Sequence, residues 1–454
     1  MPRSTQHRTF RRPVAVVLAA LAASVLAACS AGAAAPETSS SPVTIPDTSV
    51  GSQARWVLDE INADEPTSTT DLEARVAPVV LEELTTTGLQ DVVTQLQAAA
   101  PWTVTGYEGD DTRARVTIES SQVTYDMTIS IDADELINGL FFGPPQPDRT
   151  PAASWDELRT QVEQAPFEAS LRVTGADGTV LESAGSSEAG PIGSIFKLWV
   201  LGAVVDAIDA GGLAWDDELT IDGRVRSIPS GELQDLPDGS TVTVREAADK
   251  MIAISDNTAT DALIQAVGRG AVEAAMSAMG HSDPASNIPF LTTREMAWFL
   301  FGDDDLRALW ANAAGDGEAR RALLERVPSG VPDLARFPGA APGWSEGIDW
   351  FATHDDLVAA HLALQQRAAT EAGAPVRDIL SANPGIEFDD AWTYVGFKGG
   401  SSIGVLAGSW YLEREGLEPV VLTILARADD AQSLANPAVA FGWAQDAAAL
   451  LTAP

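Results

Sequence analysis

Lysine is nearly absent from this 454-residue chain: only Lys197, Lys250 and Lys398 occur among its 28 basic residues. Because arginine is used wherever plain positive charge is sufficient, a retained lysine indicates chemistry that a guanidinium cannot perform, chiefly the release of a proton. Chance placement is the alternative explanation. Cysteine is rarer still, and Cys29, the only one, excludes an internal disulfide bond.

Positive charge and metal-binding motifs are also scarce. The 28 basic residues stand against 65 acidic ones, a formal net charge of −37, which argues against nucleic acid as a partner and against adhesion to membranes through basic residues. His281, His354 and His361 form no metal-binding motif, and no Gly-x-Ser-x-Gly elbow is present for a Ser-His-Asp triad. We therefore expect no metal or other cofactor, and packing or solvent contact for His354 and His361.

The N-terminal residues predict export. Four arginines precede an apolar run at residues 14–26, the pattern of a secretory signal, so residues 1–29 are predicted to lie outside the fold. Leu26-Ala27-Ala28-Cys29 resembles the lipobox of bacterial lipoproteins, which implies a lipid anchor on Cys29 and a location at the outer face of the cell membrane. The alternative is an ordinary cleaved signal with an incidental cysteine. Residues 30–50, rich in Ala, Ser, Thr and Pro, are predicted to form a flexible linker.

Residues 51–147 predict a small α+β domain. Apolar residues recur at helical spacing in segments between residues 56 and 96, and the pattern then changes to strict alternation at residues 123–131, typical of a half-buried antiparallel strand. With companion strands on either side, we expect a curved antiparallel sheet with helices on one face, similar to the steroid-isomerase (NTF2-like) fold.

Residues 151–454 predict a larger α+β domain with strands at both ends of its sequence. A hairpin is expected around residues 175–178, helices occupy the middle, and strands return between residues 393 and 426 before a last helix. This order implies an antiparallel sheet, flanked by helices, whose first strands pair with its last.

The stretch Gly193-Ser194-Ile195-Phe196-Lys197 has the clearest chemistry. It places a serine hydroxyl one helical turn ahead of a lysine, at the mouth of an apolar helix that Gly211-Gly212 ends. Because burial disfavours the charged form of lysine, we expect the pKa of Lys197 to be lowered toward a neutral amine that can take a proton from Ser194.

Two further motifs follow, Ser255-Asp256-Asn257 and Lys398-Gly399-Gly400. With Ser194 and Lys197 they resemble the S-x-x-K, S-D-N and K-T-G motifs of the class A serine β-lactamases and penicillin-binding proteins. Together with the lipoprotein signal and the small first domain, they are most similar to the actinobacterial LpqF-type lipoproteins and their clavulanate-cluster relatives. Taken singly, the second and third motifs have ordinary interpretations as a helix end, a turn and a surface charge; the three together favour a site.

The resemblance implies acyl transfer through an acyl-enzyme. Ser194 would attack a carbonyl, Lys197 would take its proton, Ser255 would relay a proton to the leaving group, and Lys398 would hold Ser255 and supply positive charge. Asp256 is predicted to shape the turn between these groups rather than to react.

Substrate binding is implied for Asn257, Gly400 and Ser401, with the backbone N–H groups of residues 194 and 401 stabilising the oxyanion. Asn257 would hydrogen-bond either the substrate amide or Lys197. Gly399 departs from the family pattern, because a hydroxyl residue usually stands there and helps to bind a substrate carboxylate. Ser401 or Ser402 could substitute for it.

A second departure concerns deacylation. The segment 279–291 contains no counterpart of the family's deacylating glutamate, and Glu295 just beyond it is predicted to be a first-turn helix charge rather than a base. Hydrolysis of the acyl-enzyme would then rely on one of four residues: Lys197, Ser255, His281 or Asp283.

These observations favour an exported, lipid-anchored serine hydrolase that acts on a small-molecule ester, amide or β-lactam. The alcohol of an ester leaves more easily than the amine of an amide. We therefore expect esterase-like activity with weak or no β-lactamase turnover. The alternatives are a penicillin-binding or sensor protein that acylates without turnover, and a cell-wall peptidase.

Overall fold

The computed structural model describes residues 43–452 except 84, 122, 144, 146–148, 303, 334–339, 431 and 435. The predicted signal, the predicted lipid-attachment residue Cys29 and most of the predicted linker lie outside these described residues. The chain divides into two compact units with the boundary after residue 147. No described helix combines the length and the apolar character that a membrane-spanning segment needs.

The first unit places helices before strands, as the sequence pattern predicts. Its described elements are the helices α1 (Ser49–Ile61), α2 (Thr69–Arg75), α3 (Pro78–Glu83) and α4 (Thr86–Gln97), and the strands β1 (Thr103–Gly109), β2 (Arg113–Glu119), β3 (Thr124–Ile131) and β4 (Ile137–Gly143). The strands pair antiparallel in the order β1-β2-β3-β4. The last residues of the predicted linker belong to the fold, because Ile45 is buried and the Thr48 side chain caps α1.

Alternation along β3 builds the core of the first unit. Met127 and Ile129 are fully buried and belong to the same apolar cluster as Val57 of α1 and Val93 of α4. Burying one face of a helix against one face of a sheet removes both apolar surfaces from water. The predicted α+β class is thus confirmed for this unit, whereas its likeness to the NTF2-like fold stays a prediction.

The second unit combines helices with a larger antiparallel sheet. Its described helices are α5 (Trp155–Glu163), α6 (Lys197–Asp209), α7 (Val244–Ala253), α8 (Asn257–Val267), α9 (Arg269–Ala278), α10 (Thr293–Ala297), α11 (Asp304–Asn312), α12 (Gly317–Leu324), α13 (His354–Ala368), α14 (Val376–Ser381) and α15 (Ala438–Thr452). Its described strands are β5 (Glu168–Gly175), β6 (Val180–Gly185), β7 (Gly190–Pro191), β8 (Glu218–Ile221), β9 (Ser240–Thr243), β10 (Phe351–Ala352), β11 (Trp392–Ser402), β12 (Val405–Arg414) and β13 (Val420–Arg427).

The main sheet joins the two ends of this unit's sequence. Its described strand order is β11-β12-β13-β5-β6, and every pair is antiparallel. The central pairing of β5 with β13 sets Gly175 opposite Val420 and Glu168 opposite Arg427, as predicted from the order of the segments. β11 therefore lies at an edge of the described sheet, next to the turn Gly193–Phe196 that carries Ser194, called the nucleophile turn below.

Apolar clusters cover both faces of the main sheet. Leu422 and Ile424 of β13 pack with α5 and α15 on one face, while Leu425 and Ala407 join the cluster of α6, α8 and α13 on the other. The α13 side also carries small hydroxyl residues. His354 lies between Thr423 and Ser170 at 2.7 and 2.9 Å, which satisfies both ring nitrogens inside the core.

His361 is likewise buried, with Nε2 at 2.8 Å from the hydroxyl of Ser409. Burial lowers the pKa of His354 to about 3 and that of His361 to about 4, so both rings are neutral at physiological pH. The packing interpretation of these two histidines is confirmed.

Candidate active site

Ser194 lies in a tight turn at Gly193–Phe196 that runs directly into α6 at Lys197. Ser194 is partly exposed, whereas Lys197 is fully buried. Gly193 has a left-handed backbone (φ +48°), and a Cβ at this position would lie 2.6 Å from Ser401 N. A Cβ at Gly400 would lie 1.9 Å from the carbonyl oxygen of Ile192. Both glycines are therefore required for the nucleophile turn to lie directly against β11.

Lys197 connects the first motif to the second. Its Nζ donates to the carbonyl oxygen of Ser255 at 2.7 Å, to Ser255 Oγ at 3.0 Å and to Asn257 Oδ1 at 2.8 Å. Burial, and secondarily the charge of Lys398, lowers the pKa of Lys197 well below its usual value. The direction is the one that the sequence predicts for a lysine that must serve as a base.

Lys398 completes the connection from the third motif. Its Nζ donates to Ser255 Oγ at 3.0 Å and to the carbonyl oxygen of Gly399 at 2.8 Å. The side chain is 3% exposed, and burial lowers its pKa to about 7. Lys398 lies inside β11 rather than at a strand end on the surface, because β11 continues to Ser402. One hydroxyl thus lies within hydrogen-bond distance of two lysines that are 201 positions apart in the sequence.

Ser194 differs from the sequence-based expectation of a direct bond to Lys197. Among the described residues, its Oγ takes part in no hydrogen bond. The physical reason is that oxygens of Ser255 and Asn257 already occupy the hydrogen-bonding directions of Lys197 Nζ. Proton transfer from Ser194 therefore requires Lys197 to exchange one of these bonds for a bond to the nucleophile.

The second motif is positioned by a short break between two helices. α7 ends at Ala253, and Ser255 takes a left-handed backbone (φ 57°) before Asp256 caps α8 by accepting from Ala259 N at 2.7 Å. The other carboxylate oxygen of Asp256 accepts from Glu232 N and Leu233 N at 2.7 and 2.9 Å. Asp256 therefore shapes the turn, as predicted.

Serines 401 and 402 are not equivalent. Ser402 Oγ donates to Asp349 Oδ2 at 2.6 Å, so it is not available for a substrate carboxylate, whereas Ser401 is exposed. A Cβ at Gly399 would lie 2.8 Å from Phe397 Cζ, and that ring is stacked on Trp410 at 4.9 Å. The ring at 397 therefore explains why glycine replaces the usual hydroxyl residue.

Asp349 is the residue that the sequence did not reveal. It is 4% exposed and accepts hydrogen bonds from Gly193 N at 2.9 Å and Trp350 N at 2.8 Å through Oδ1. Burial raises its pKa to about 6. Its partners Gly193 and Ser402 lie 156 and 53 positions away along the chain, so no local sequence pattern indicates these contacts.

The segment after Asp349 also packs against the nucleophile turn. Trp350 O accepts from Ile192 N at 2.8 Å, and the Trp350 ring stacks on Phe196 with centroids 3.7 Å apart. β10 then pairs antiparallel with β7, setting Phe351 opposite Pro191. The segment therefore holds the turn by backbone and ring contacts.

Of the predicted deacylation bases outside the motifs, neither His281 nor Asp283 hydrogen-bonds to Ser194, Lys197 or Ser255 among the described residues. Glu295 is 3% exposed, caps α10 together with Thr292, and forms an ion pair with Arg269 at 2.6 Å, so the helix-charge interpretation is confirmed. His281 Nε2 lies 2.8 Å from Phe351 O, and its Nδ1 accepts from Asp283 N at 3.1 Å. Within the described part of the chain, no carboxylate oxygen hydrogen-bonds to the three site residues.

Comparison with known families agrees with this arrangement. Residues 154–325 match the family described as Beta-lactamase enzyme family, a match that supports the serine β-lactamase superfamily. Residues 45–137 match the family described as ORF 12 gene product N-terminal. No curated protein matches the chain.

Solved structures similar to this chain include the β-lactamase of Sphaerobacter thermophilus (19% identity, TM-score 0.47), covering 66% of this chain and 99% of its own. The penicillin-binding protein PBP-A has 15% identity and a TM-score of 0.45, covering 68% and 99%. The chromosome-encoded β-lactamase of Vibrio parahaemolyticus has 17% identity and a TM-score of 0.47, covering 66% and 98%.

Proposed function

We propose that this protein is a serine hydrolase that forms an acyl-enzyme on Ser194 and acts on small esters in preference to β-lactam amides. The observation that supports it most is the connection of Lys197, Ser255 and Lys398 through one hydroxyl. Such a connection needs one lysine to be a base and the other to be a charged donor, because two ammonium groups on one hydroxyl repel each other.

The proton route follows from the donors and acceptors. Ser194 Oγ bonds to the substrate carbonyl carbon as its proton passes to the neutral amine of Lys197. When the tetrahedral adduct collapses, the bond to the leaving group breaks, Ser255 gives its proton to that group, and Lys197 restores the proton to Ser255. Water then adds to the acyl carbon, the bond to Ser194 Oγ breaks, and the acid leaves while the serine regains a proton.

The oxyanion would lie between the backbone N–H groups of residues 194 and 401. The close approach of the nucleophile turn to β11 at Gly193 and Gly400 supports this placement. Preorganised donors of this kind account for a factor of about 10²–10³ in rate per donor.

Preference for esters rests on the acylation step, because the alcohol of an ester leaves more easily than the amine of an amide. Deacylation is slow in this proposal, since no described carboxylate is bonded to the lysine and serine of the site and a hydrolytic water has no strong base. The same observation favours a second candidate function, a penicillin-binding or sensor protein that acylates once and does not turn over.

We further propose that the protein is exported and anchored by a lipid on Cys29. The support is the apolar run followed by Leu26-Ala27-Ala28-Cys29. Metabolic labelling with an alkyne fatty acid should mark the full-length chain and not a Cys29→Ser variant. Equal labelling of both would contradict the anchor.

Labelling with fluorescent penicillin, with Ser194→Ala as the control, tests the acyl-enzyme. We expect a covalent label on the natural chain and none on the variant, followed by turnover of acetyl esters but slow turnover of benzylpenicillin. A stable label without ester turnover would favour the sensor, and cleavage of peptide amides would favour a cell-wall peptidase. Benzylpenicillin hydrolysis at the rate of an efficient β-lactamase would contradict the ester preference.

A further inference from the structure

The two halves of the oxyanion site come from separate segments. One N–H group belongs to the nucleophile turn and the other to β11, and the two residues are more than 200 positions apart in the sequence. Their distance therefore depends on non-covalent contacts. The backbones touch at Gly193 and Gly400, where no side chain is present to fix the separation.

Asp349 bridges the same two segments. Its Oδ1 accepts from Gly193 N, the residue before the nucleophile, at 2.9 Å, and its Oδ2 accepts from Ser402 Oγ, the residue after the second oxyanion donor, at 2.6 Å. Trp350 N fixes the carboxylate itself by donating to Oδ1 at 2.8 Å. The group is 4% exposed, so water does not compete for these bonds.

We infer that Asp349 is a positioning residue that sets the spacing between the nucleophile turn and β11, and with it the spacing of the two oxyanion donors. This inference rests on the proposed acyl transfer at Ser194. Asp349 acts through Gly193 and Ser402 and contacts neither the substrate nor the reacting atoms.

The geometry also shows which chemical property of Asp349 matters. Asparagine has the same shape, and its Oδ1 can accept from Gly193 and Trp350 while its Nδ2 donates to Ser402 Oγ, a hydroxyl that can reverse its role. A bridge that only positions therefore survives Asp349→Asn, whereas a carboxylate that takes a proton does not. Alanine removes the bridge altogether.

The test compares rates of labelling by fluorescent penicillin for the folded fraction of each variant. Saturation kinetics separate the acylation rate constant from the non-covalent binding constant. For Asp349→Ala we expect the acylation rate constant to fall by about 10- to 100-fold, which is less than the loss expected when one oxyanion donor is removed completely. The non-covalent binding constant should change by less than about threefold. Asp349→Asn should restore the rate to within about threefold of the natural chain.

Two further variants separate positioning from general stability. Ser402→Ala should lower the rate constant, and combining it with Asp349→Ala should add little, because both remove one bridge. Asp446 is the matched control: it is also a buried carboxylate, 5% exposed, but it lies on α15 and pairs with Arg149. Asp446→Ala should lower the melting temperature and the labelled amount without changing the rate constant.

The outcomes distinguish this inference from the proposed function. An Asp349→Ala variant that acylates at the natural rate would overturn the inference alone. A loss in Asp349→Asn as large as in Asp349→Ala would also overturn it, since it would show that the carboxylate handles a proton. Absence of labelling in the natural chain would overturn the proposed function and this inference together.

Discussion

Ser255 presents two oxygens to Lys197: its carbonyl oxygen lies 2.7 Å and its hydroxyl 3.0 Å from the lysine Nζ. The residue does so from a left-handed backbone with φ 57°. Non-glycine residues adopt this conformation at a cost of about 1 kcal/mol or more. Strain of this kind persists only where surrounding contacts determine the backbone, here the end of α7 and the cap of α8.

This strain predicts that two substitutions of Ser255 differ in their effect on the free energy of unfolding. Ser255→Gly and Ser255→Ala both remove the hydroxyl, so both should lose most of the acylation rate. Glycine should leave the protein more stable than alanine by about 1 kcal/mol in urea unfolding, since alanine retains the left-handed cost. Equal stability of the two variants would contradict the strain.

Removal of the amine of Lys197 should abolish its role as base while preserving the fold. Lys197→Met keeps a long unbranched side chain in the core and should lower the rate of penicillin labelling by about 10²–10⁴-fold. The matched control is Lys250→Met, whose Nζ pairs with the largely exposed Glu232 at 2.6 Å. That variant should label at nearly the natural rate, and a comparable loss would show that any missing lysine impairs the protein.

The pKa of Lys398 predicts an alkaline limit to acylation. Because its pKa is about 7, the ammonium form that donates to Ser255 is present below that pH and is lost above it. The acylation rate should therefore decline as the pH rises above about 7. In Lys398→Arg the charge persists, so the decline should move to higher pH even where the rate is lower. An unchanged alkaline limb in this variant would assign the titration to another group.

Glu295 should matter for stability and not for turnover. Its substitution by Gln leaves Arg269 without its ion-pair partner, and breaking a buried pair from one side costs about 3 kcal/mol. We expect a lower midpoint of urea unfolding and an unchanged rate of release of the penicilloyl label. A slower release at constant folded fraction would instead make Glu295 a deacylation base.

The sequence predicted those features of the site that local patterns encode. The scarcity of lysine singled out Lys197 and Lys398, and the burial of the apolar helix that begins at Lys197 fixed the direction of its pKa shift. The sheet order followed from strands at both ends of the unit. Each of these inferences depends on residues close in sequence or on the order of whole segments.

The features that the sequence did not predict depend on contacts between distant segments. Asp349 meets Gly193 only because β10 pairs with β7, and neither two-residue strand has a periodic pattern. The missing bond between Ser194 and Lys197 has a similar origin, since Ser255 and Asn257 compete for the same amine. The spacing of motifs along the chain predicts which groups lie close together. Which acceptor each donor bonds to depends on the tertiary contacts.

The pairing of β5 with β13 has a consequence for biosynthesis. Val420 lies opposite Gly175, so the central ladder of the main sheet cannot close until β13, far downstream of β5 in the sequence, has been made. The first unit, whose strands all pair with their sequence neighbours, is free of this delay. The nascent protein therefore passes through a stage in which one unit is complete and the strands of the other await their partners, the stage at which exposed strand edges are most prone to aggregate.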